Sequence, residues 1–464
     1  MPPSLTSLTD EAAIALDNLT DRAAHLVNPT IRLGVTGLSR AGKTVFISSL
    51  VHNLLHAGRL PLFEPLRSGR MTGATLQEQP DDAVPRFQYE DHIRALVDER
   101  VWPDSTRAIS ELRLTIEYKR ASSWNRMFSA GRLSIDIVDY PGEWLLDLPM
   151  LQQNYQQWCE QSWLLFAQPH RAATAESFKQ KLRTIDLNDA SVLSVQELCS
   201  EYSILLQQFR EVAGAYLNQP GRLLVPGEFE GTPLLQLLPL LPEQLAQGGA
   251  LVDLMQKHFV SYQSKVIEPF YRQYFSGLDR QVVLVDILGA LNAGESALLE
   301  LKQSLLLILQ SFDYGPEHWL RRIFKPRISK VLFAVSKADH VTPDQHQALT
   351  LLLQQLLLQH LQSVKFQLCP YEVMAIAAIK ASEAGFVKHN GQQQPCLRGL
   401  SAQTGEALTY YPGDVPRYWP DHQLFTEHHF EFQSLAPLPW PKQQVLQHIR
   451  LDHLLEYLLG DKLT

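Results

Sequence analysis

Apolar positions recur along this chain with two different periods, and the order in which the periods alternate predicts its architecture. Ala12, Leu16, Leu19, Ala23 and Leu26 lie three and four residues apart, which predicts an amphipathic helix over residues 10–27 with Thr9 or Asp10 as its cap. A short β-branched run at 31–36 predicts a first strand, and a helix is expected from Lys43 to about His56. Residues 58–102 have scattered Pro and Gly and no sustained period, apart from a helix around 90–100. A connection that long is expected of a functional or mobile insertion. Leu112, Leu114, Ile116 and Tyr118 then alternate with polar residues, as do the apolar residues of 133–139, so two strands joined by 120–132 read as a hairpin.

From about Leu148 to Phe275 the spacing of Leu, Tyr and Trp is helical, with a Gly/Pro-rich break at 219–233. The apolar run 162–167 follows without a turn signal and reads as a continuing helix. Strands resume at 281–288, 329–336 and 371–378, separated by a helix over 295–312 and another that starts at the Thr342-Pro343 cap and ends near 362. Beyond Ala384 the pattern weakens, and 449–459 closes the chain as a short helix. Strands alternating with helices predict an α/β fold with a mostly parallel sheet and a large helical insertion domain. The expected division is an amino-terminal helix (1–29), a first part of the sheet domain (30–147, with an insertion at 58–105), the helical insertion (148–276), a second part of the sheet domain (277–385) and a carboxy-terminal extension packing on it (386–464).

Composition narrows this picture little. The 464 residues are 45% apolar, enough for two to three domains of common size. A net charge of -8 argues against nucleic acid as a partner held by bulk positive charge. Cys159, Cys199, Cys369 and Cys396 form no CxxC pair, which predicts buried free thiols in a reducing compartment. The start MPPSLTSLTDEAAIAL does not read as a secretory signal, and no run approaches the roughly eighteen apolar residues of a membrane span. A cytoplasmic location is expected, with peripheral placement at the inner membrane as the second candidate.

Candidate chemistry centres on Gly37-Leu38-Ser39-Arg40-Ala41-Gly42-Lys43-Thr44, a full GxxxxGK[ST] match between a strand and a helix. Such a loop wraps an anion in backbone N–H groups at a helix N-terminus, while its lysine reaches the β- and γ-phosphates and its threonine offers a hydroxyl to Mg²⁺. Gly37, Ser39, Arg40, Ala41, Gly42, Lys43, Thr44 and Val45 are the expected contacts. Asp139-Tyr140-Pro141-Gly142 is a DxxG at a strand end, where Asp139 can hold Mg²⁺ and Gly142 can meet the γ-phosphate. A second DxxG at Asp286 reads as structural. Ser336-Lys337-Ala338-Asp339 is similar to the [NT]KxD guanine signature, whose carboxylate accepts two hydrogen bonds that adenine cannot supply. Ala378 and Ile379 sit where a backbone N–H would approach guanine O6. Thr106 precedes the hairpin, in place for a switch threonine on the metal, with Thr72 and Thr75 as competitors. Asp421, His422, His428 and His429 match no metal-ligand spacing and read as a solvated loop.

Together these residues resemble the P-loop GTPases, and the strings GLSRAGKT, DYPGEWLLDLP, VDILGALNAGE, SKADHV and HIRLDHLLEYLLGDKL resemble more closely the YcjX family of bacterial stress-associated proteins. The resemblance implies a P-loop NTPase (Ras-like) fold, GTP/GDP and Mg²⁺ as cofactors, slow GTP hydrolysis, and expression alongside an envelope-stress regulon. It implies a protein effector, with an envelope-stress membrane protein as one candidate. Two departures bear on mechanism. Glu143 stands where many small GTPases place a water-orienting glutamine, and a carboxylate there would repel the γ-phosphate. Arg40 lies inside the phosphate loop, where its guanidinium could supply a positive charge in cis. Lys43, Arg40, Thr106 and Glu143 are thus the candidate catalytic groups. The alternatives are an ATP-using P-loop kinase, and a nucleotide-stabilised interaction or membrane-peripheral module with negligible turnover.

Overall fold

A computed structural model describes residues 29–38, 40–120, 131–211, 214–312, 328–361, 369–389, 392–427, 429–439 and 445–464. The helix expected over 10–27, Ser39, most of the 120–132 link and His428 lie outside the described residues.

Seven strands form the main sheet: β1 (Thr30–Gly37), β2 (Met71–Gln77), β3 (Ser110–Tyr118), β4 (Gly131–Asp139), β5 (Arg280–Val285), β6 (Lys330–Val335) and β7 (Tyr371–Ala375). Their order is β2-β3-β4-β1-β5-β6-β7. From β4 to β7 every pairing is parallel, and the β3/β4 hairpin and β2 add two antiparallel partners at one edge. This is an α/β P-loop architecture.

The period of two divides the core. On β5, Val282 and Leu284 face one layer and Val283 and Val285 the other; on β6, Leu332 and Ala334 oppose Val331, Phe333 and Val335. A parallel sheet covered on both faces buries every side chain of its central strands, so these strands read as unbroken apolar runs. One layer holds α1 (Lys43–Leu55), which packs with Leu33, Val35 and Ile137. The other faces the inserted helices α2 (Tyr155–Phe166), α3 (Pro169–Thr184), α4 (Val192–Glu211) and α5 (Ala250–Tyr262), which gather Trp158, Phe178, Tyr202, Phe209 and Phe259. After β5 come α6 (Ile287–Ala293) and α7 (Glu295–Phe312), and after β6 comes α8 (His346–Leu361). The closing α9 (Leu451–Leu459) lays Leu451, Leu454, Leu455 and Leu458 into the α1 layer.

Two expectations need correction. The stretch 58–102 contains β2 and a short helix, Glu64–Arg67, as well as the expected helix, which runs from Tyr89 through a π-helical turn to Glu99. MTGATLQ has little apolar pattern of its own and is half-exposed, so its pairing with β3 makes it a strand. The weakly patterned region after Ala384 contains an antiparallel sheet, built from β8 (Ser382–His389), β9 (Gln392–Ser401), β10 (Ala407–Tyr410) and β11 (Leu435–Ala436). The expected division at 385/386 falls inside β8. Cys159, Cys199 and Cys396 are buried free thiols and Cys369 is half-buried.

Candidate functional site

The site begins where β1 gives way to α1. Arg40 and Gly42 both take left-handed φ values, 66° and 86°, and the reversal delivers the first turn of α1 at the mouth of a cleft. Lys43 Nζ donates to the Gly37 carbonyl at 2.7 Å. The Thr44 hydroxyl donates to the Asp104 carbonyl at 3.1 Å. A Cβ on Gly142 would fall 2.3 Å from the Gly37 carbonyl oxygen, so the DYPG turn packs on the end of β1 only because position 142 has no side chain.

Asp139 ends β4 in register with Val35 of β1. It is 2% exposed, and its Oδ2 accepts the Thr106 hydroxyl at 2.8 Å. Oδ1 is buried and has no hydrogen-bond partner among the described residues. Burial pushes the Asp139 carboxyl up to about 6, against the opposing pull of Lys43 and the Thr106 hydroxyl. An orphaned buried carboxylate oxygen on a carboxyl that already holds the Thr106 hydroxyl is a hard oxygen donor, and it fits a small divalent cation such as Mg²⁺. Thr72 and Thr75 are elsewhere: both belong to the β2 edge, where the Thr72 hydroxyl donates to the Glu117 carbonyl at 3.0 Å.

Also on the wall of the cleft, Ser336 leaves β6 with its N–H on the Val285 carbonyl at 3.0 Å. Lys337 takes a left-handed φ of 61° and pairs through Nζ with Asp286. Asp286 also caps α6, accepting the Gly289 N–H at 2.9 Å, and it lines the cleft. Asp339 is 4% exposed; its Oδ2 accepts the Ala381 N–H at 2.6 Å and its Oδ1 lies 3.3 Å from His340 Nδ1. Burial alone would raise its pKa, but His340 and the Ala381 N–H outweigh burial and hold it below the usual value. Asp339 therefore stands ionised at the wall of the cleft. Ala378 and Ile379 line the same cleft, while the N–H that meets the carboxylate belongs to Ala381, three residues beyond Ala378.

The cleft has a volume of about 550 Å³. Arg40, Ala41, Gly42, Lys43, Thr44 and Val45 line it together with Thr106, Glu143, Ser336, Lys337 and Asp339. Gly37, Gly142 and Asp139 are not on its surface; they form the layer behind. Several wall residues carried no signal of their own: Trp102 and Asp104 beside Thr106, Asn292 within VDILGALNAGE, Arg210 on α4, and residues 432–435. Among the described residues no cluster of three His, Cys, Asp or Glu side chains is arranged to hold a metal, and His422 pairs with Glu295.

The DYPG turn continues into a buried 3₁₀ segment, Gly142–Gln152, that the helical insertion grips. Trp144 Nε1 donates to the Val225 carbonyl at 2.8 Å, and the Arg222 guanidinium lies 3.2 Å over its ring. Asp147 accepts the Tyr262 hydroxyl at 2.6 Å and the Gly221 N–H at 2.7 Å. A Cβ on Gly221 would fall 2.2 Å from the Glu143 carbonyl oxygen, so the insertion touches the residue that borders the cleft.

The profile of the YcjX-like family, DUF463, matches residues 31–463. A protein of Shewanella oneidensis named Ras-like GTPase YcjX is 40% identical over 480 residues, covering 97% of this chain and 99% of that protein. A protein of Escherichia coli with the same name is 39% identical over 453 residues, covering 94% of this chain and 97% of that protein. With a near-complete family match and two relatives of this length and identity, the chain belongs to the YcjX-like family.

Proposed function

We propose that this protein binds GTP and GDP with Mg²⁺ in the cleft, hydrolyses GTP slowly, and acts as a molecular switch in a stress response. One observation carries the reading. A single cleft of about 550 Å³, a size that suits a nucleotide, is lined both by the phosphate loop and by the buried Asp339. The relatives named Ras-like GTPase support it.

In this reading the backbone N–H groups of 40–44 and Lys43 hold the phosphates, and Asp339 reads the guanine edge while Lys337 covers the base. Thr44 and Thr106, with Asp139 behind them, are the residues that would hold Mg²⁺, which when bound offsets the phosphate charge. Arg40 adds a positive charge from within the loop. Glu143 lines the cleft, where its carboxylate repels the γ-phosphate and keeps turnover slow. The grip of Gly221, Arg222 and Tyr262 on the segment after DYPG passes the nucleotide state to the helical insertion, the surface for a protein effector. No described helix is long and apolar enough to cross a membrane, and the proposed location is cytoplasmic or peripheral at the inner membrane.

Glu143 favours a second reading as well, a nucleotide-stabilised module without turnover. Single-turnover assays with radiolabelled GTP separate the two: slow release of phosphate supports the switch, and bound GTP that stays intact for hours supports the module.

A further inference from the structure

Residues 432–435 form one side of the cleft, between α6 and the 102–106 loop. They lead into β11, which pairs with β9 of the antiparallel sheet, and they are tied to the core domain at both ends. Asn292 Nδ2 donates to the Phe432 carbonyl at 2.9 Å, and the Phe432 N–H donates to Asn292 Oδ1 at 2.8 Å. One side-chain amide thus satisfies both backbone groups of a residue 140 positions away. At the other end, Trp102 Nε1 donates to the Leu435 carbonyl at 2.8 Å. The Phe432 ring is buried and stacks on Phe430, with centroids 6.1 Å apart. Between the two ties, Gln433 is half-buried, Ser434 is exposed, and both face the cleft.

The Trp102 tie continues toward the metal end. Two residues on, the Asp104 carbonyl accepts the Thr44 hydroxyl, and two further on Thr106 reaches Asp139. One short loop therefore joins the wall segment to the phosphate loop and to the buried carboxylate.

We propose that residues 432–435 are a strap across the nucleotide cleft, tied down by Asn292 and Trp102, and that untying it governs how fast nucleotide binds and leaves. The proposal rests on the nucleotide reading above and adds its regulation. Three side-chain hydrogen bonds, from Asn292 and Trp102, tie the strap to the core domain, while the Ala402 N–H on the Ser434 carbonyl at 3.0 Å, the β11–β9 pairing and the buried Phe432 and Leu435 side chains hold it to the antiparallel sheet, so opening at the cleft undoes the three ties while that sheet stays folded. A strap acting as a gate slows passage in both directions. A strap acting only as a contact surface slows release alone. Because Trp102 shares its loop with Thr106, rearrangement at the metal end pulls on the strap.

Stopped-flow fluorescence on the full chain with N-methylanthraniloyl GDP and the matching ADP derivative tests this. In Asn292→Ala and in Trp102→Phe, which keeps an aromatic ring but loses the indole N–H, association and dissociation rate constants rise together. The rise is roughly two- to tenfold for each hydrogen bond lost, with Kd changing less than about twofold. Wild-type rates in Trp102→Phe overturn the gate, and so does faster dissociation with unchanged association. If Asn292→Ala does not fold, Trp102→Phe decides alone. If the wild-type chain binds neither derivative, the nucleotide reading falls and the strap with it; if it binds one and the variants keep its rates, only the strap falls.

Discussion

The Thr106 hydroxyl donates to Asp139 Oδ2 at 2.8 Å across 33 residues of sequence, leaving Oδ1 buried without a partner among the described residues. The bond closes the 102–106 loop over the DYPG aspartate, at the place where a γ-phosphate and its metal are proposed to lie. Thr106→Ala is expected to weaken GTP binding in Mg²⁺ by roughly tenfold while GDP binding changes little, because a switch threonine serves the triphosphate state. Calorimetry with both nucleotides, repeated in EDTA to abolish the difference, checks this. Equal affinities in variant and wild type for both nucleotides would remove Thr106 from the role.

Asp147 gives a pH dependence that the nucleotide does not enter. Burial is the largest influence on it and pushes its carboxyl up to about 6, although Tyr262, Gly221 and Arg222 all favour the charged form. A carboxyl with a higher pKa folded than unfolded binds its proton more tightly in the native state, so folding loses stability as pH rises from about 4 through about 6. A shift of this size corresponds to about 3 kcal/mol. Asp147→Asn keeps an acceptor oxygen and removes the charge. Its stability relative to wild type should therefore improve by up to about 3 kcal/mol between about pH 4 and pH 7, read from urea unfolding at each pH. A difference that does not vary with pH contradicts this.

Glu143 and Arg40 border the cleft with opposite charges, so their substitutions should move hydrolysis in opposite directions. Glu143→Gln is expected to raise the single-turnover rate roughly tenfold by removing like-charge repulsion, and Arg40→Ala to lower it by at least about tenfold. Unchanged rates in both variants leave neither residue in the mechanism.

How much of this was legible depends on where the holding contacts lie. The parallel strands announced themselves because burial on both faces demands β-branched runs such as QVVLVDIL, and the phosphate loop because its geometry fixes glycine positions. β2 and β8 to β10 stayed hidden. MTGATLQ and QQQPCLRGLS carry Gly, Pro and polar residues, and they are strands because of their partners in space. In the cleft, Asp339 was visible as part of a spaced motif, while the Ala381 N–H that orients it carried no signal of its own. Asn292 and Phe432 were unreadable as a pair, because two neutral residues 140 positions apart leave no local pattern. The segment Gly142–Gln152 that follows DYPG is 3₁₀ rather than α, and Pro149 inside it supplies no N–H for a regular α-turn.

The proposed guanine recognition by Asp339 is the point on which the proposed function turns, and calorimetric titration of GTP, GDP and ATP into the wild-type chain and Asp339→Asn tests it most directly. The predicted result is binding of both guanine nucleotides with ATP weaker by at least about a hundredfold, and a loss of that preference in Asp339→Asn. ATP binding more tightly than GTP to the wild-type chain would contradict it.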